Sequence, residues 1–270
     1  MNIDQIEHSL AQIKAMIESN KPAQYKFENL VLNALVMRSY ALVRQYIERH
    51  GNTVYTGPLE GLILPDGVVT PFLLSRYIGS YEHELHGAIR EAAERGYDAV
   101  INIGCAEGYY AVGLARRLKT QVFAYDILPD ARLKCAALAA ANGVADQVSV
   151  GELFQIGDFA AFAGRRTLLF CDIEGAEFSL LDPLQAPALR DMDVIVELHE
   201  KLPERDPDAL CARFADTHDI VRIDHARNYA GPLPEWLSDG LEADVGLASL
   251  CFREGRTPWA WMRSRSSPPR

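Results

Sequence analysis

One stretch near the middle of the chain, residues 98–118 (DAVINIGCAEGYYAVGLARRL), constrains the fold most. It begins with a short apolar run, continues through glycines at positions 104 and 108, and ends with apolar residues at helical spacing. This order predicts a strand buried on both faces, a tight turn and a helix. A helix that begins at the carboxyl end of a parallel strand presents free backbone amides. The turn is therefore a candidate site for an anionic or polar cofactor.

Strand-like and helix-like segments alternate regularly after this stretch. Such alternation is typical of a doubly wound parallel sheet with right-handed crossovers. Further strands are predicted at residues 121–127, 147–153, 167–173, 193–199, 219–224 and 247–253. Helices are predicted at residues 80–96, 129–142, 155–163, 176–189 and 207–217.

Two helical segments precede this alternating region. Apolar residues at alternating steps of three and four over residues 2–19 predict a helix that packs on its own domain or forms a homodimer with a second copy. A second helix is predicted over residues 27–49, before Gly51. We therefore divide the chain into a helical extension (1–51), a main domain (52–262) and a tail (263–270). The tail is expected to be disordered because its Ser, Pro and Arg residues offer little to bury.

The composition limits the partners that such a chain binds. Its 270 residues are enough to bury a core without disulfides or metals. A formal net charge of −10 disfavours nucleic acid and anionic membranes, because both require a concentrated positive field. The five cysteines lie far apart, without the spacing of a zinc site or a disulfide framework. A small-molecule partner is the expectation.

The N-terminal residues and the hydropathy of the chain indicate where in the cell the protein is expected. Asp4 and Glu7 interrupt the apolar residues at the N-terminus, which is unlike a signal peptide. No apolar run approaches the roughly 20 residues of a membrane span. We expect a cytoplasmic protein whose cysteines are reduced thiols.

The glycine turn distinguishes between classes of nucleotide-like cofactor. A dinucleotide-binding turn has the pattern GxGxxG, but counting from Gly104 places Ala106 and Tyr109 at the second and third glycine positions. This disfavours an NAD-dependent oxidoreductase. Asp126 ends the next predicted strand, where its carboxylate can accept hydrogen bonds from both hydroxyls of a ribose. A ribose without a pyrophosphate points to S-adenosylmethionine (SAM).

Three segments carry a resemblance to a known family. INIGCAEG (101–108), AYDI (124–127) and CDIEGAE (171–177), in this order, resemble the class I SAM-dependent methyltransferases. DIEGAE is also similar to the signature of the FkbM-type O-methyltransferases. The resemblance covers about residues 75–225. It implies a Rossmann-like, seven-stranded, mostly parallel sheet with an antiparallel last strand and helices on both faces.

The resemblance also implies roles for individual residues. The turn residues that would approach the methionine and ribose of SAM are Gly104, Cys105, Ala106 and Gly108. Asp126 would bind the ribose hydroxyls, with Ile127 beside the adenine and Glu152 at its edge. Tyr81 and Glu82 would form a lid over the methionine, or alternatively begin a helix with a solvated acid. Asn102 stands where the family usually has an acid.

Acidic residues and a histidine stand at the ends of two of the predicted strands. Asp172 and Glu174 stand at the end of one strand, and Glu197, His199 and Glu200 stand at the end of the next, so these groups are expected at one edge of the sheet. Asp172, Glu197 and His199 form a candidate ligand set for a divalent metal ion such as Mg²⁺.

A second interpretation of the same residues needs no metal. His199 would act as the general base, with Asp172 or Glu197 orienting its ring. Glu174 and Glu177 are expected to cap the following helix, where negative charge is stabilising.

The sequence thus favours a SAM-dependent methyltransferase that acts on a hydroxyl oxygen of a small molecule, such as a sugar or a natural product. The alternative is a catalytically inactive cofactor-binding or interaction protein on the same fold, which Asn102 and the N-terminal helices motivate.

Overall fold

The structure is a computed structural model that describes residues 3–68, 73–199, 206–250 and 257–266. A seven-stranded sheet lies at its centre. The strands are β1 (Ala99–Ile103), β2 (Gln121–Tyr125), β3 (Val148–Gly151), β4 (Thr167–Cys171), β5 (Asp193–Glu197), β6 (His218–Ile223) and β7 (Trp259–Ser264). Their order in the sheet is β3-β2-β1-β4-β5-β7-β6. β7 is antiparallel to both of its neighbours, β5 and β6, and the other neighbouring strands pair in parallel. The predicted Rossmann-like sheet with an antiparallel last strand is confirmed.

Helices cover both faces of this sheet. They are α1 (Ile3–Glu18), α2 (Ala23–His50), α3 (Leu74–Ile78), α4 (His86–Arg95), α5 (Tyr109–Leu118), α6 (Pro129–Ala141), α7 (Glu177–Leu180), α8 (Pro207–Ala212), α9 (Glu235–Ser238) and α10 (Glu242–Leu247). Short 3₁₀ segments occupy His83–Leu85, Ile156–Phe162 and Pro187–Asp191. None of the helices in the described parts of the chain is long and apolar enough to cross a lipid bilayer.

The core consists of two apolar clusters, one on each face of the sheet. Along β1, Val100 belongs to one cluster and Ile101 to the other, because successive side chains of a strand point to opposite faces. Every residue of β1, β4 and β5 is buried, as expected for central parallel strands. The second half of α2 joins the first cluster through Leu42, Val43 and Tyr46. That half of the helical extension is therefore part of the main core.

Four helix predictions need correction. The segment 207–217 is helical only over Pro207–Ala212. The segment 176–189 contains only α7 and a 3₁₀ turn, because prolines at positions 183 and 187 interrupt helical hydrogen bonding. The segment 155–163 is 3₁₀ rather than α-helical. The segment 80–96 becomes an α-helix only from His86.

The C-terminal predictions were also wrong. A strand was expected at 247–253, but Leu247 ends α10, residues 248–250 are not a strand, and 251–253 lie outside the described residues. Short apolar runs do not distinguish a strand from a buried helix. The last strand is instead β7, and it extends into the expected tail, where Arg265 donates to Asp219 Oδ1 at 2.9 Å. Residues 263–266 are thus ordered, whereas 267–270 lie outside the described residues.

Candidate functional site

The glycine turn between β1 and α5 fits tightly against its surroundings. Gly104 has φ +79°, and a Cβ there would overlap the carbonyl oxygen of Asp172. Gly108 has φ +94°, and a Cβ there would lie 2.8 Å from Sγ of Cys135. Both positions therefore require glycine, for conformation and for space. The Gly104 contact also places the turn directly against the end of β4.

Asp126, which follows β2, is bonded to this turn. Its Oδ2 accepts a hydrogen bond from the Ala106 backbone amide at 2.9 Å, and its Oδ1 accepts one from the Leu128 amide at 2.9 Å. The side chain is half-buried, and Ile127 beside it is exposed. A carboxylate has about four lone-pair sites, so Asp126 retains acceptor capacity for a ligand.

One turn residue, Cys105, and one residue of β1, Asn102, have buried side chains. Cys105 is buried against Cys135, and this contact, together with burial, raises the pKa of the Cys105 thiol. Asn102 is buried within the sheet, where its Nδ2 donates to the Phe170 carbonyl at 3.3 Å. Within the described ranges, Asn102 Oδ1 has no hydrogen-bond partner. Cys105 can thus offer a ligand only its backbone.

A buried ion pair supports the turn from the other side. Arg76 of α3 pairs with Glu107, and both side chains are about nine-tenths buried. The guanidinium also lies 4.6 Å from the ring centroid of Tyr81 and 5.3 Å from that of Tyr109. Sequence reasoning missed this pair, because nothing in the sequence relates two charges that are 31 positions apart.

Tyr81 and Glu82 lie beside the same turn. Glu82 is buried with φ +47°, and its Oε2 accepts a hydrogen bond from the Tyr110 hydroxyl at 2.5 Å. Burial, followed by the charge of Glu82, raises the pKa of Tyr110 well above its usual value. The expectation of a solvated acid at a helix start was therefore wrong. Tyr81 packs edge-on against Tyr109, with ring centroids 5.6 Å apart, and lines a small cavity with His86 and Tyr110.

Glu152 follows β3 and is exposed. Its Oε1 lies 3.9 Å from Arg132 Nη2. Arg132 in turn donates from Nη1 to the carbonyl oxygens of Asp126 (2.9 Å) and Ile127 (3.0 Å). Arg132 therefore links Glu152 to the segment that holds Asp126.

A buried histidine stands among carboxylates at the ends of β4 and β5. Nε2 of His199 lies 3.7 Å from Asp172 Oδ1, 3.5 Å from Glu174 Oε2 and 3.6 Å from Glu197 Oε2. The second oxygen of Glu197 accepts a hydrogen bond from the Thr257 hydroxyl. Asp172, Glu197 and His199 therefore lie near one another at this edge of the sheet, and Glu174 lies there as well. Glu200 lies outside the described residues.

Glu177 holds the other side of His199. The fully buried Glu177 Oε1 lies 3.0 Å from His199 Nδ1 and accepts the His199 backbone amide at 3.1 Å. Its Oε2 accepts the Gly175 amide at 2.8 Å. Glu177 was expected only to cap a helix, but its buried carboxylate orients the imidazole. Because an ionised carboxylate only accepts hydrogen bonds, Nδ1 carries the proton and Nε2 faces Asp172, Glu174 and Glu197.

The electrostatics of this cluster favour a cation. Burial lowers the pKa of His199, but the hydrogen bond to Glu177 and the charges of Glu197, Glu177 and Asp172 outweigh burial and raise the pKa above 6.5. One ligand atom from each of Asp172, Glu174 and His199 lies within 4.8 Å of the others. Two carboxylates and an imidazole are suitable ligands for a divalent ion. Glu174 adopts φ +54°, an uncommon conformation for a residue with a side chain.

Comparison with known proteins gave structural neighbours only. The sequence matches no protein-family model and no curated protein. The O-methyltransferase TomG of Streptomyces achromogenes, solved in complex with SAM, is 14% identical with a TM-score of 0.45, and the match covers 84% of this chain and 89% of TomG. An O-methyltransferase of Bacillus cereus, solved with SAH, is 11% identical with a TM-score of 0.44, and the match covers 84% and 91% of the two chains.

Proposed function

We propose that this chain is a SAM-dependent methyltransferase that methylates a hydroxyl oxygen of a small molecule. The observation that carries the proposal is the contact between Gly104 and the backbone of Asp172. Through this contact the glycine turn, which suits a nucleoside cofactor, adjoins the carboxylate and histidine cluster, which suits proton transfer or cation binding. An acceptor hydroxyl at the cluster would therefore lie beside a cofactor at the turn.

The residues around the turn would share the work of binding SAM. Asp126 would accept the ribose hydroxyls through its remaining lone pairs, and the exposed side chain of Ile127 would lie against the adenine. Gly104, Ala106 and Gly108 would let the backbone approach the methionine portion. Tyr81 would close over that portion. When bound, SAM supplies an electrophilic methyl group.

The cluster at β4 and β5 would prepare the acceptor. The donor set of Asp172, Glu174 and His199 fits a divalent cation such as Mg²⁺, with Glu197 beside the same imidazole nitrogen. When bound, such an ion would lower the pKa of a coordinated hydroxyl. Without an ion, His199 Nε2 would take the hydroxyl proton, with Nδ1 held by Glu177. Activity that persists in excess chelator would favour the base, and activity restored by Mg²⁺ would favour the ion.

Calorimetric titration with SAM and with S-adenosylhomocysteine tests the proposal. Wild type should bind both, and Asp126→Ala should bind much more weakly. Asp182→Ala is the matched control, because the Asp182 carboxylate accepts hydrogen bonds from Leu184 and Gln185 of its own loop, away from the glycine turn. Absence of binding to wild type, or equal binding by Asp126→Ala, would refute the proposal.

A second measurement separates the enzyme from the inactive alternative. Purified protein is incubated with SAM labelled on its methyl group and a panel of sugars and phenols. Any labelled ether product establishes transfer. Cofactor binding without product across a broad panel would favour a cofactor-binding protein without activity.

A further inference from the structure

The N-terminal helices expose an unusual amount of apolar surface. The second half of α2 is buried in the core, but its first half and α1 are not. We define the apolar patch as the eight large apolar side chains in this region with exposures of 39–65%, namely Leu10, Ile17, Tyr25, Phe27, Leu30, Val31, Leu32 and Leu35. Exposure of this many large apolar side chains within one region of a chain is typical of an interaction site.

Packing of α1 against α2 leaves most of the patch open. The two helices are tied at the turn that joins them, where Lys26 Nζ donates to the Ile17 carbonyl at 2.7 Å. Leu30, Val31 and Leu32 are consecutive, so they point in directions about 100° apart, and all three are exposed. A helix that is apolar in several directions is stable only when it is covered on several sides. One neighbouring helix does not satisfy this requirement.

We propose that the apolar patch binds the same patch of a second copy of this chain, so that the two helix pairs form a four-helix bundle. Judged by their exposed fractions, the eight residues expose on the order of 800 Å², which is about what each partner buries in a stable interface. A symmetric pairing brings identical surfaces together, so the patch covers itself. The resulting arrangement is the usual packing of two antiparallel helix pairs.

The charge distribution favours a second copy over other partners. Residues 3–35 contain four acids (Asp4, Glu7, Glu18, Glu28) and three bases (Lys14, Lys21, Lys26), a net charge of −1 in a chain of −10. Two copies can therefore approach at this region with little of the repulsion that their acidic domains would cause. A membrane-surface helix carries more basic than acidic residues, whereas residues 3–35 carry one acid more than bases.

Sedimentation equilibrium of the full chain tests the proposal. Wild type should have twice the monomer mass of 30.0 kDa at micromolar concentration. Phe27→Glu and Leu32→Glu should each weaken association by about tenfold or more, because each buries a charge at the proposed interface. Leu184→Glu, which places the same charge at an exposed leucine of the main domain, should leave the mass unchanged.

A second measurement does not depend on these variants folding. Amide hydrogen exchange of wild type is followed while the protein is diluted from dimeric to monomeric concentration. Residues 23–35 should lose protection on dilution, and the strands of the sheet should not. A monomeric wild type, protection independent of concentration, or flotation of the monomer with phosphatidylcholine vesicles would each overturn the proposal, the last in favour of a lipid surface.

Discussion

Glu177 shows how a single buried carboxylate can set the state of a site. Its two oxygens accept the amides of Gly175 and His199 and hold the imidazole Nδ1, so the ring is fixed before any ligand arrives. A carboxylate that accepts a hydrogen bond from Nδ1 of a histidine both orients the ring and makes Nε2 more basic. Either role that we propose for His199, as a ligand or as a base, therefore depends on Glu177.

Glu177→Gln should lower methyl transfer by about 10- to 100-fold, the usual effect of losing such a partner. The amide keeps the size of the side chain but removes the charge. Activity is measured together with calorimetric affinity for Mn²⁺. Glu91→Gln is the control, since Glu91 binds Trp261 and Arg263 instead. Unchanged activity and metal affinity in Glu177→Gln would contradict the role given to this residue.

Arg76→Gln should destabilise the fold and weaken SAM binding. The substitution leaves the charge of Glu107 buried without its partner, which costs about 3 kcal/mol of unfolding free energy. The double variant Arg76→Gln/Glu107→Gln should recover part of that loss, because it removes both charges.

Urea denaturation and SAM titration measure the two effects of Arg76→Gln. Arg38→Gln breaks the Arg38–Asp244 pair, which lies between α2 and α10, and should leave SAM affinity unchanged. If Arg38→Gln weakened SAM binding as much as Arg76→Gln, the effect would reflect general destabilisation.

The sequence predicted part of this residue-scale picture. The position of Asp126 beside the turn of Gly104 and Gly108 could be predicted, because glycines and an acid at the ends of neighbouring strands follow a local rule. Glu177 and Arg76 could not be given their roles, because those roles depend on contacts with His199 and Glu107. Such contacts are set by packing and leave no spacing pattern in the sequence.

At the scale of elements, hydrophobic patterning predicted the strands better than the helices. β1, β4 and β5 are short, mostly apolar segments whose residues are all buried, and such segments have few other interpretations in an alternating chain. The helix predictions failed where proline or 3₁₀ geometry shortened a segment, as at α7. The position of β7 between β5 and β6 could not be foreseen, because it depends on pairing with strands at least 35 residues away.

Arg265→Ala tests the ordered end of β7. The Arg265 side chain donates to Asp219 and to the carbonyls of Ala215, Asp216 and His218, so its loss should cost about 1–2 kcal/mol. Thermal unfolding followed by circular dichroism measures the change. Arg44→Ala, which removes an exposed ion pair within α2, should change stability by less than about 0.5 kcal/mol. Equal stability of Arg265→Ala and wild type would mean that the contacts of Arg265 do not stabilise the fold.

For the whole molecule, buried neutral histidines tie stability to pH. Burial, followed by the charges of Arg90 and His83, lowers the pKa of His86 to about 4. Burial likewise lowers the pKa of His218, whose Nε2 lies 2.7 Å from the Met192 carbonyl oxygen. His86 begins α4 and His218 begins β6, and both side chains are buried, so protonating either imidazole opposes the folded state as a whole.

The direction of this pH effect follows from linkage. Below pH 6.5 the unfolded chain protonates His86 while the folded chain does not, so stability falls as the pH decreases from 6.5 towards 4. The loss from His86 alone reaches about 3 kcal/mol near pH 4. Carboxylates with lowered pKa values, such as Glu91, add to the loss in the same direction. His86→Gln, which cannot titrate, should therefore show a flatter dependence of unfolding free energy on pH between 6.5 and 4, whatever its stability at pH 7. A slope equal to that of wild type would show that His86 is not the source.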